Sequence, residues 1–290
     1  MNGRLFWVAL LFISGSWIVN TLYAQSKQLQ EPIFLEHAID TVVYEGSNLT
    51  FYYLTNTNDS SVISSINLNG IRGYALENES AEPIQTFPYY SLRQVHIQMD
   101  PFDIENSLQD EPLTTNTAVV LFNDGKMLTT SIGEVTLRSE DQVNHTLTPI
   151  GGSGGNDWSM NWYEAEDDLT IESFSIDVSE AFQKFITVKI DSATAAKQFD
   201  PLPIKSDEQD IPGIHLDELE LPIEINKGEN LYIYWAISPQ FFGSIQSSLT
   251  LSGTTASGHP FTDQSPLYSQ PLYLDNKDLQ KIIQAKENAR

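Results

Sequence analysis

The strongest constraint on the fold is a short pattern that occurs twice in the chain. Residues 46–53 and 228–235 both follow Gly-x-Asn-Leu-x-apolar-Tyr-aromatic, and residues 64–70 and 247–253 both begin with two serines and end with glycine. The copies are 182 residues apart in the first block and 183 in the second, so one insertion aligns both. Apolar and polar side chains alternate within each copy, which predicts two strands that share a buried face. The sequence therefore predicts a duplicated β-hairpin.

Alternation with a period of two residues continues through most of the chain after about residue 30, which is the pattern of half-buried strands. Residues 117–137 predict a hairpin around the turn at 123–126. Residues 219–225 predict an edge strand, because Pro222 cannot donate a hydrogen bond to a neighbouring strand, followed by a hairpin turn into 231–235. The alternating apolar residues have odd numbers up to residue 171 and even numbers from residue 174, which predicts a bulge near residues 172–173.

These patterns predict an all-β fold with two β-sandwich lobes, Ig-like or jelly-roll-like, after an N-terminal transmembrane or signal helix and before a short C-terminal helix. The lobes are expected at 30–148 and 158–274. The run GGSGG predicts a flexible linker at 149–157. A single composite sandwich, with the glycines in a long crossover, is the alternative. Residues 275–290 predict a solvated terminal helix, with docking against the acidic body as the alternative.

The first 26 residues have the character of a membrane-directed segment. No charged residue lies between Leu5 and Ala24, and that length is enough to cross a hydrocarbon core of about 30 Å. Arg4 precedes the run and all 39 acidic residues follow it, which predicts a single-pass cell-membrane protein with an extracytoplasmic C-terminal body, attached to the membrane through this helix. The alternative is a secreted protein, released by cleavage after Ala24.

The composition limits the partners that this chain can bind. Fifteen Lys and Arg against 39 Asp and Glu leave a formal charge of −24, which excludes nucleic acid because that affinity requires cations to neutralise phosphates. The chain has no cysteine, so it is not a disulfide-stabilised ectodomain. Together with the N-terminal segment, this composition favours a bacterial cell-envelope protein.

The motifs of local chemistry are missing from the sequence. The five histidines are dispersed singly, and neither a phosphate-binding loop nor a dinucleotide turn occurs. The glycine run matches the letters Gly-x-Ser-x-Gly, but a nucleophile at Ser153 would need a strand before it and a helix after it, and the flanking residues favour neither. The sequence predicts no cofactor, no metal and no catalytic residue.

One cluster combines flat aromatic rings with carboxylates, the chemistry with which proteins hold sugars. Its members are Trp158, Trp162, Tyr163, Glu164, Glu166, Asp167 and Asp168. The preferred interpretation is that the tryptophans plug a sandwich and the acids form a solvated loop. The sequence as a whole predicts a non-catalytic extracytoplasmic envelope protein whose lobes bind a cell-envelope protein or a glycan. The alternative is a secreted carbohydrate-binding module or glycoside-active enzyme that uses this cluster.

Overall fold

A computed structural model describes residues 3–44, 46–76, 82–108, 111–139, 146–192, 213–271 and 273–288. The helices are α1 Gly3–Ser26, α2 Pro101–Ser107, α3 Glu180–Gln183 and α4 Asn276–Asn288. The first nine strands are β1 Ile33–Phe34, β2 His37–Val42, β3 Asn48–Asn56, β4 Ile63–Leu68, β5 Ile71–Ala75, β6 Gln85–Thr86, β7 Tyr90–Met99, β8 Leu113–Phe122 and β9 Met127–Arg138. The others are β10 Leu147–Gly154, β11 Trp158–Ala165, β12 Leu169–Ile176, β13 Ile186–Ser192, β14 Ile214–His215, β15 Ile223–Ile225, β16 Asn230–Ile237, β17 Ser244–Thr255 and β18 Pro260–Ser269. The described chain is mostly β, with two sheets and few helices, as the alternation predicts.

The first hydrophobic core lies within a continuous path of strands, β1-β3-β7-β5-β4-β8-β9-β2. The first and last strands in this order, β1 and β2, are consecutive in the chain, since only Leu35 and Glu36 separate them. The path thereby folds around one interior, which is filled by Phe51, Val95 and Val120 among others. Leu49, Phe51 and Tyr53 of β3 point into this core, whereas Tyr52 and Leu54 on the other face belong to a different cluster, so β3 is buried on both faces.

The second core lies between the five-stranded sheet, in the order β10-β11-β16-β13-β14, and the strands β18, β17, β12 and β15 of the larger sheet. Leu231, Ile233 and Trp235 enter this core from β16, while Leu249 and Leu251 enter it from β17. The two halves of the chain therefore have separate cores.

Strand β2 joins the two halves, because it pairs in parallel with β9 on one side and with β17 on the other. His37, at its start, is fully buried. Its Nδ1 donates to the carbonyl of Ile132 at 2.8 Å, and its Nε2 accepts from the amide of Tyr52 at 2.8 Å. Burial, followed by the positive charge of Lys286, lowers the pKa of His37 to about 4.

Each copy of the repeat forms two strands, β3 and β4 in the first half and β16 and β17 in the second, but the two strands of a copy do not pair with each other as a hairpin. β3 and β4 pair with other strands and supply the same core, and β16 and β17 belong to different sheets that enclose the second core. Gly46 and Gly228 both begin their copies with positive φ, at 89° and 81°. The prediction of a shared buried interior is confirmed, and the prediction of direct pairing is wrong, because a period of two specifies the buried face and not the neighbouring strand.

The local predictions have mixed outcomes. The hairpin of β8 and β9 and the bulge between Ile171 and Ser173 are confirmed. Of residues 219–225 only β15 is a strand, and it pairs with β12 rather than with β16, so the predicted second hairpin is wrong. The glycine run, predicted as a linker at 149–157, instead forms the second half of β10, from Gly151 to Gly154, at the edge of the five-stranded sheet.

The terminal helices pack differently from the sequence prediction. α4 is docked rather than solvated: Leu279, Ile282 and Ile283 are buried in a third cluster with side chains from β1, β3 and β7. Its Lys286 pairs with the carboxylate of Glu36. Residues 3–26 form α1, as predicted, yet no helix in the described ranges combines the length and the apolar character needed to cross a membrane.

Candidate functional site

The predicted aromatic residues Trp158 and Trp162 lie together on the outer face of the five-stranded sheet, on the side away from the second core. They share this face with Met160 of the same strand, because every second residue of β11 points outward. We call this surface the aromatic face. Its members on β11 and β16 are Trp158, Met160, Trp162, Tyr232, Tyr234 and Ala236.

The strand register arranges the aromatic face in three rows across β11, β16 and β13. The rows are Trp158, Ala236 and Thr187, then Met160, Tyr234 and Lys189, and then Trp162, Tyr232 and Asp191. Tyr234 and Met160 in the middle row are buried, with 1% and 8% of their surfaces exposed. The tryptophans and Tyr232 remain partly exposed. The face thus has a buried centre with aromatic rings around it that solvent reaches.

The glycines of β10 explain how two indoles can lie against the sheet. A Cβ built on Gly151 would be 2.2 Å from Nε1 and 2.5 Å from Cε2 of Trp162, so the indole occupies the space that any other side chain would need. A Cβ on Gly155 would be 2.8 Å from Nε1 of Trp158. Each indole therefore lies directly against a glycine of the neighbouring segment, and each ring stays partly exposed to solvent.

Polar groups border the aromatic face at the end nearest Trp162. Glu164 is the next outward residue of β11, is exposed, and lies between Thr148 and Asn230 in the register. The amide of Asn230 donates to the hydroxyl of Tyr232 at 3.4 Å. The carboxylate of Asp191, in the same row as Trp162, has a pKa raised by burial. Carboxylate and amide oxygens are therefore placed beside an aromatic plane.

Asp191 and the tyrosines affect one another electrostatically. Burial raises the pKa of Tyr234, and the nearby charges of Asp191 and Tyr232 raise it further. Tyr234 therefore stays protonated throughout the physiological range, as a neutral phenol at the centre of the face. The middle row of the aromatic face consequently combines a neutral phenol with the largely buried cation of Lys189, and the end nearest Trp162 is acidic.

The remaining residues of the predicted cluster are not on this face. Tyr163 points into the second core, where its hydroxyl donates to Ser265 Oγ at 2.9 Å and burial raises its pKa. Glu166 lies beyond the end of β11 and accepts a hydrogen bond from the hydroxyl of Thr148.

Asp167 and Asp168 form the turn into β12. The carboxylate of Asp167 accepts from the amide of Asp168 at 2.9 Å, and that of Asp168 accepts from the amide of Lys227 at 2.8 Å. These two acids hold loops in place by the hydrogen bonds typical of Asp in turns. Only Glu164, of the four predicted carboxylates, accompanies the tryptophans.

Sequence reasoning missed four contributors: Tyr232, Tyr234, Asn230 and Asp191. The sequence did indicate where the two tyrosines point. They alternate with the core residues Leu231 and Ile233 along one strand, so they had to face away from the core. That alternation does not show which strand lies beside β16. Asp191 carried no signal, because its position depends on the pairing of β13 with β16.

A second candidate site is a cleft of about 550 Å³ between the two halves. Arg138 holds Asp40 there by two hydrogen bonds of 2.6 Å, and burial raises the pKa of Asp40. Across the cleft, Asp177 accepts from Thr250 Oγ1 at 2.6 Å. These charged side chains therefore have hydrogen-bond partners within the protein. No cluster of three or more metal-ligating side chains occurs within the part of the chain that the structure describes.

Comparison with known proteins gives no family. No family model matches the chain, and no curated protein matches it. Among solved structures, the collagen adhesin CNA from S. aureus is similar over 81% of this chain and 95% of its own, at 10% identity and a TM-score of 0.23. The collagen-binding domain of the Erysipelothrix rhusiopathiae surface protein RspB covers 83% of this chain and 94% of its own, at 9% identity and a TM-score of 0.25. The Enterococcus faecalis protein ACE, described as binding its ligands by the collagen Hug model, covers 86% and 97%, at 9% identity and a TM-score of 0.21. Likeness at these TM-scores establishes neither the detailed fold nor a function for this chain.

Proposed function

We propose that this chain is a non-catalytic extracytoplasmic protein that binds a component of a cell surface through its aromatic face. The carrying observation is the seating of Trp158 and Trp162 on Gly155 and Gly151. Large aromatic rings that stay partly in water are the residues that most often dominate binding surfaces, because each buries a large apolar area on contact. A structural role alone would be served by tryptophans that point inward, as Trp235 does.

The arrangement of carboxylates supports binding rather than hydrolysis. Acid and base catalysis of glycoside cleavage needs two carboxyl groups that face each other across the substrate. Glu164 lies on the aromatic face, whereas Asp168 is in a turn and holds the amide of Lys227. Asp191 is the nearest other acid of the face, and it lies two strands away from Glu164 across β16. This spacing provides acceptors at the border of a binding surface.

We infer that each core belongs to its own β-sandwich lobe and that the lobes operate outside the cytoplasm. The uncharged stretch from Leu5 to Ala24, the acidic body and the lack of cysteine support this location. Determining the amino terminus of the mature protein distinguishes a secreted protein from a membrane-anchored one. A chain that begins at Gln25 is secreted, and a full-length chain in the membrane fraction is anchored. Recovery of the intact chain from the cytoplasm would contradict the location.

The binding function is tested by retention of the purified protein on cells and cell-wall fractions of the organism that makes it. We expect the variant Trp158→Ala/Trp162→Ala to lose most of the retained protein, because the aromatic area of the face is removed. Tyr74→Ala is the matched control, since Tyr74 is an exposed aromatic side chain, 49% accessible, on β5 of the other half. Equal retention of the double variant and the parent would refute the proposed binding surface.

A further inference from the structure

We propose that the aromatic face binds an extended, uncharged polysaccharide, with one sugar ring stacked on Trp158 and a later ring of the same chain stacked on Trp162. This inference rests on the proposed function and specifies its ligand. It depends on three properties of the face: the partial exposure of the indoles, the distance between them and the charge around them.

The partial exposure of the indoles favours a flat ligand. The built Cβ of Gly151 lies within 2.7 Å of three indole atoms, Nε1, Cε2 and Cζ2 of Trp162, so the indole packs against the glycine with no side chain between them. The Cβ of Gly155 likewise lies within 3.5 Å of three atoms of the indole of Trp158. A pyranose ring presents a face of C–H bonds that stacks on such a plane, while its hydroxyls point sideways toward polar groups.

The distance between the indoles requires a ligand longer than one sugar. Trp158 and Trp162 are four residues apart on β11, which is about 13 Å at roughly 3.3 Å per residue. A straight chain of linked sugars can place rings on both indoles, and a monosaccharide or disaccharide reaches only one. The two contacts then act together, so affinity increases with chain length.

The charge around the face selects an uncharged glycan. Glu164 is exposed and Asp191 is partly exposed, whereas Lys189, the cation of the middle row, is largely buried. The chain as a whole has a formal charge of −24. A polymer with carboxylates, sulfates or phosphates is therefore repelled, while hydroxyl groups can donate to Glu164, Asp191 and the amide oxygen of Asn230.

The inference is tested by titrating the full-length protein with cellohexaose and chitohexaose, their disaccharides, and polygalacturonate as the acidic polymer. We expect a hexasaccharide to bind at least tenfold more tightly than its disaccharide, and polygalacturonate not to bind. Trp158→Ala and Trp162→Ala should each weaken hexasaccharide binding about tenfold and bring it close to the disaccharide value. Trp162→Phe should retain part of the affinity, because it keeps an aromatic plane, and Tyr74→Ala should bind as the parent does.

The outcomes separate the ligand class from the function. If neither hexasaccharide binds while retention on cell surfaces still depends on the two tryptophans, the ligand is not an uncharged polysaccharide and the proposed function stands. If both tryptophan variants bind the hexasaccharides as tightly as the parent protein does, the stacking sites are refuted. Tighter binding of polygalacturonate than of the neutral chains would overturn the charge argument.

Discussion

Acidification should weaken the fold through one histidine at the junction of the two halves. His37 is fully buried, and its Nε2 accepts the amide hydrogen of Tyr52 while its Nδ1 donates to Ile132. Only the neutral ring can make both bonds, because a protonated imidazole has no acceptor. The pKa of His37 is lowered to about 4, from 6.5 in an unfolded chain.

The sign and size of the effect follow from these two pKa values. Between pH 6.5 and about 4 the unfolded chain binds a proton at His37 and the folded chain does not, so the free energy of unfolding falls as the pH is lowered through this range. A difference of about 2.5 pKa units at about 1.4 kcal/mol per unit corresponds to roughly 3 to 4 kcal/mol, of which about 3 kcal/mol is lost by pH 4. Above pH 6.5 the contribution is fully present.

Urea unfolding at a series of pH values between about 7.5 and 4 measures this contribution. The matched variant is His37→Gln, whose amide has hydrogen-bonding groups but does not titrate in this range. All other groups are common to both proteins, so the difference between their free energies of unfolding isolates His37. We expect that difference to shrink by about 3 kcal/mol from neutral pH to pH 4. Parallel profiles for the two proteins would refute the neutral, buried state of His37.

Three further changes test other parts of the structure. Gly151→Ala should displace the indole of Trp162 and weaken ligand binding about as much as loss of that ring, with little change in melting temperature; binding titrations and thermal unfolding check this. Ile282→Ala, in the buried stripe of α4, should lower the free energy of unfolding by about 2 kcal/mol in urea, and no change would contradict the docking of this helix. Arg138→Met should cost about 1 to 2 kcal/mol at neutral pH, because it leaves the buried carboxylate of Asp40 without its partner, and the cost should decrease as acid protonates Asp40.

The sequence was informative about strands and less so about their neighbours. Alternation correctly placed Leu231, Ile233 and Trp235 on one buried face, because burial and side-chain parity are linked within a single strand. The same alternation suggested hairpins where the strands enclose a core from opposite sides. Pairing between strands depends on connections and on packing far along the chain, which a local period does not record.

The glycine run shows why half of the residues of the site could not be predicted from the sequence. Gly151 and Gly155 have the composition of a flexible linker, yet each is adjacent to an indole that leaves no room for a side chain. Trp158 and Trp162 could be selected from their spacing and their polar surroundings. Tyr234 could not be placed beside them, because that contact exists only through the register of β11 with β16.

The most direct test of the central claim is oxidative footprinting of the aromatic side chains, read by mass spectrometry, with and without bound surface material or hexasaccharide. Binding at the aromatic face predicts that Trp158 and Trp162 are protected from oxidation in the complex, while the control aromatic Tyr74, which is 49% exposed on β5, reacts equally in both samples. Unchanged oxidation of Trp158 and Trp162 in a sample shown to be bound would contradict the account.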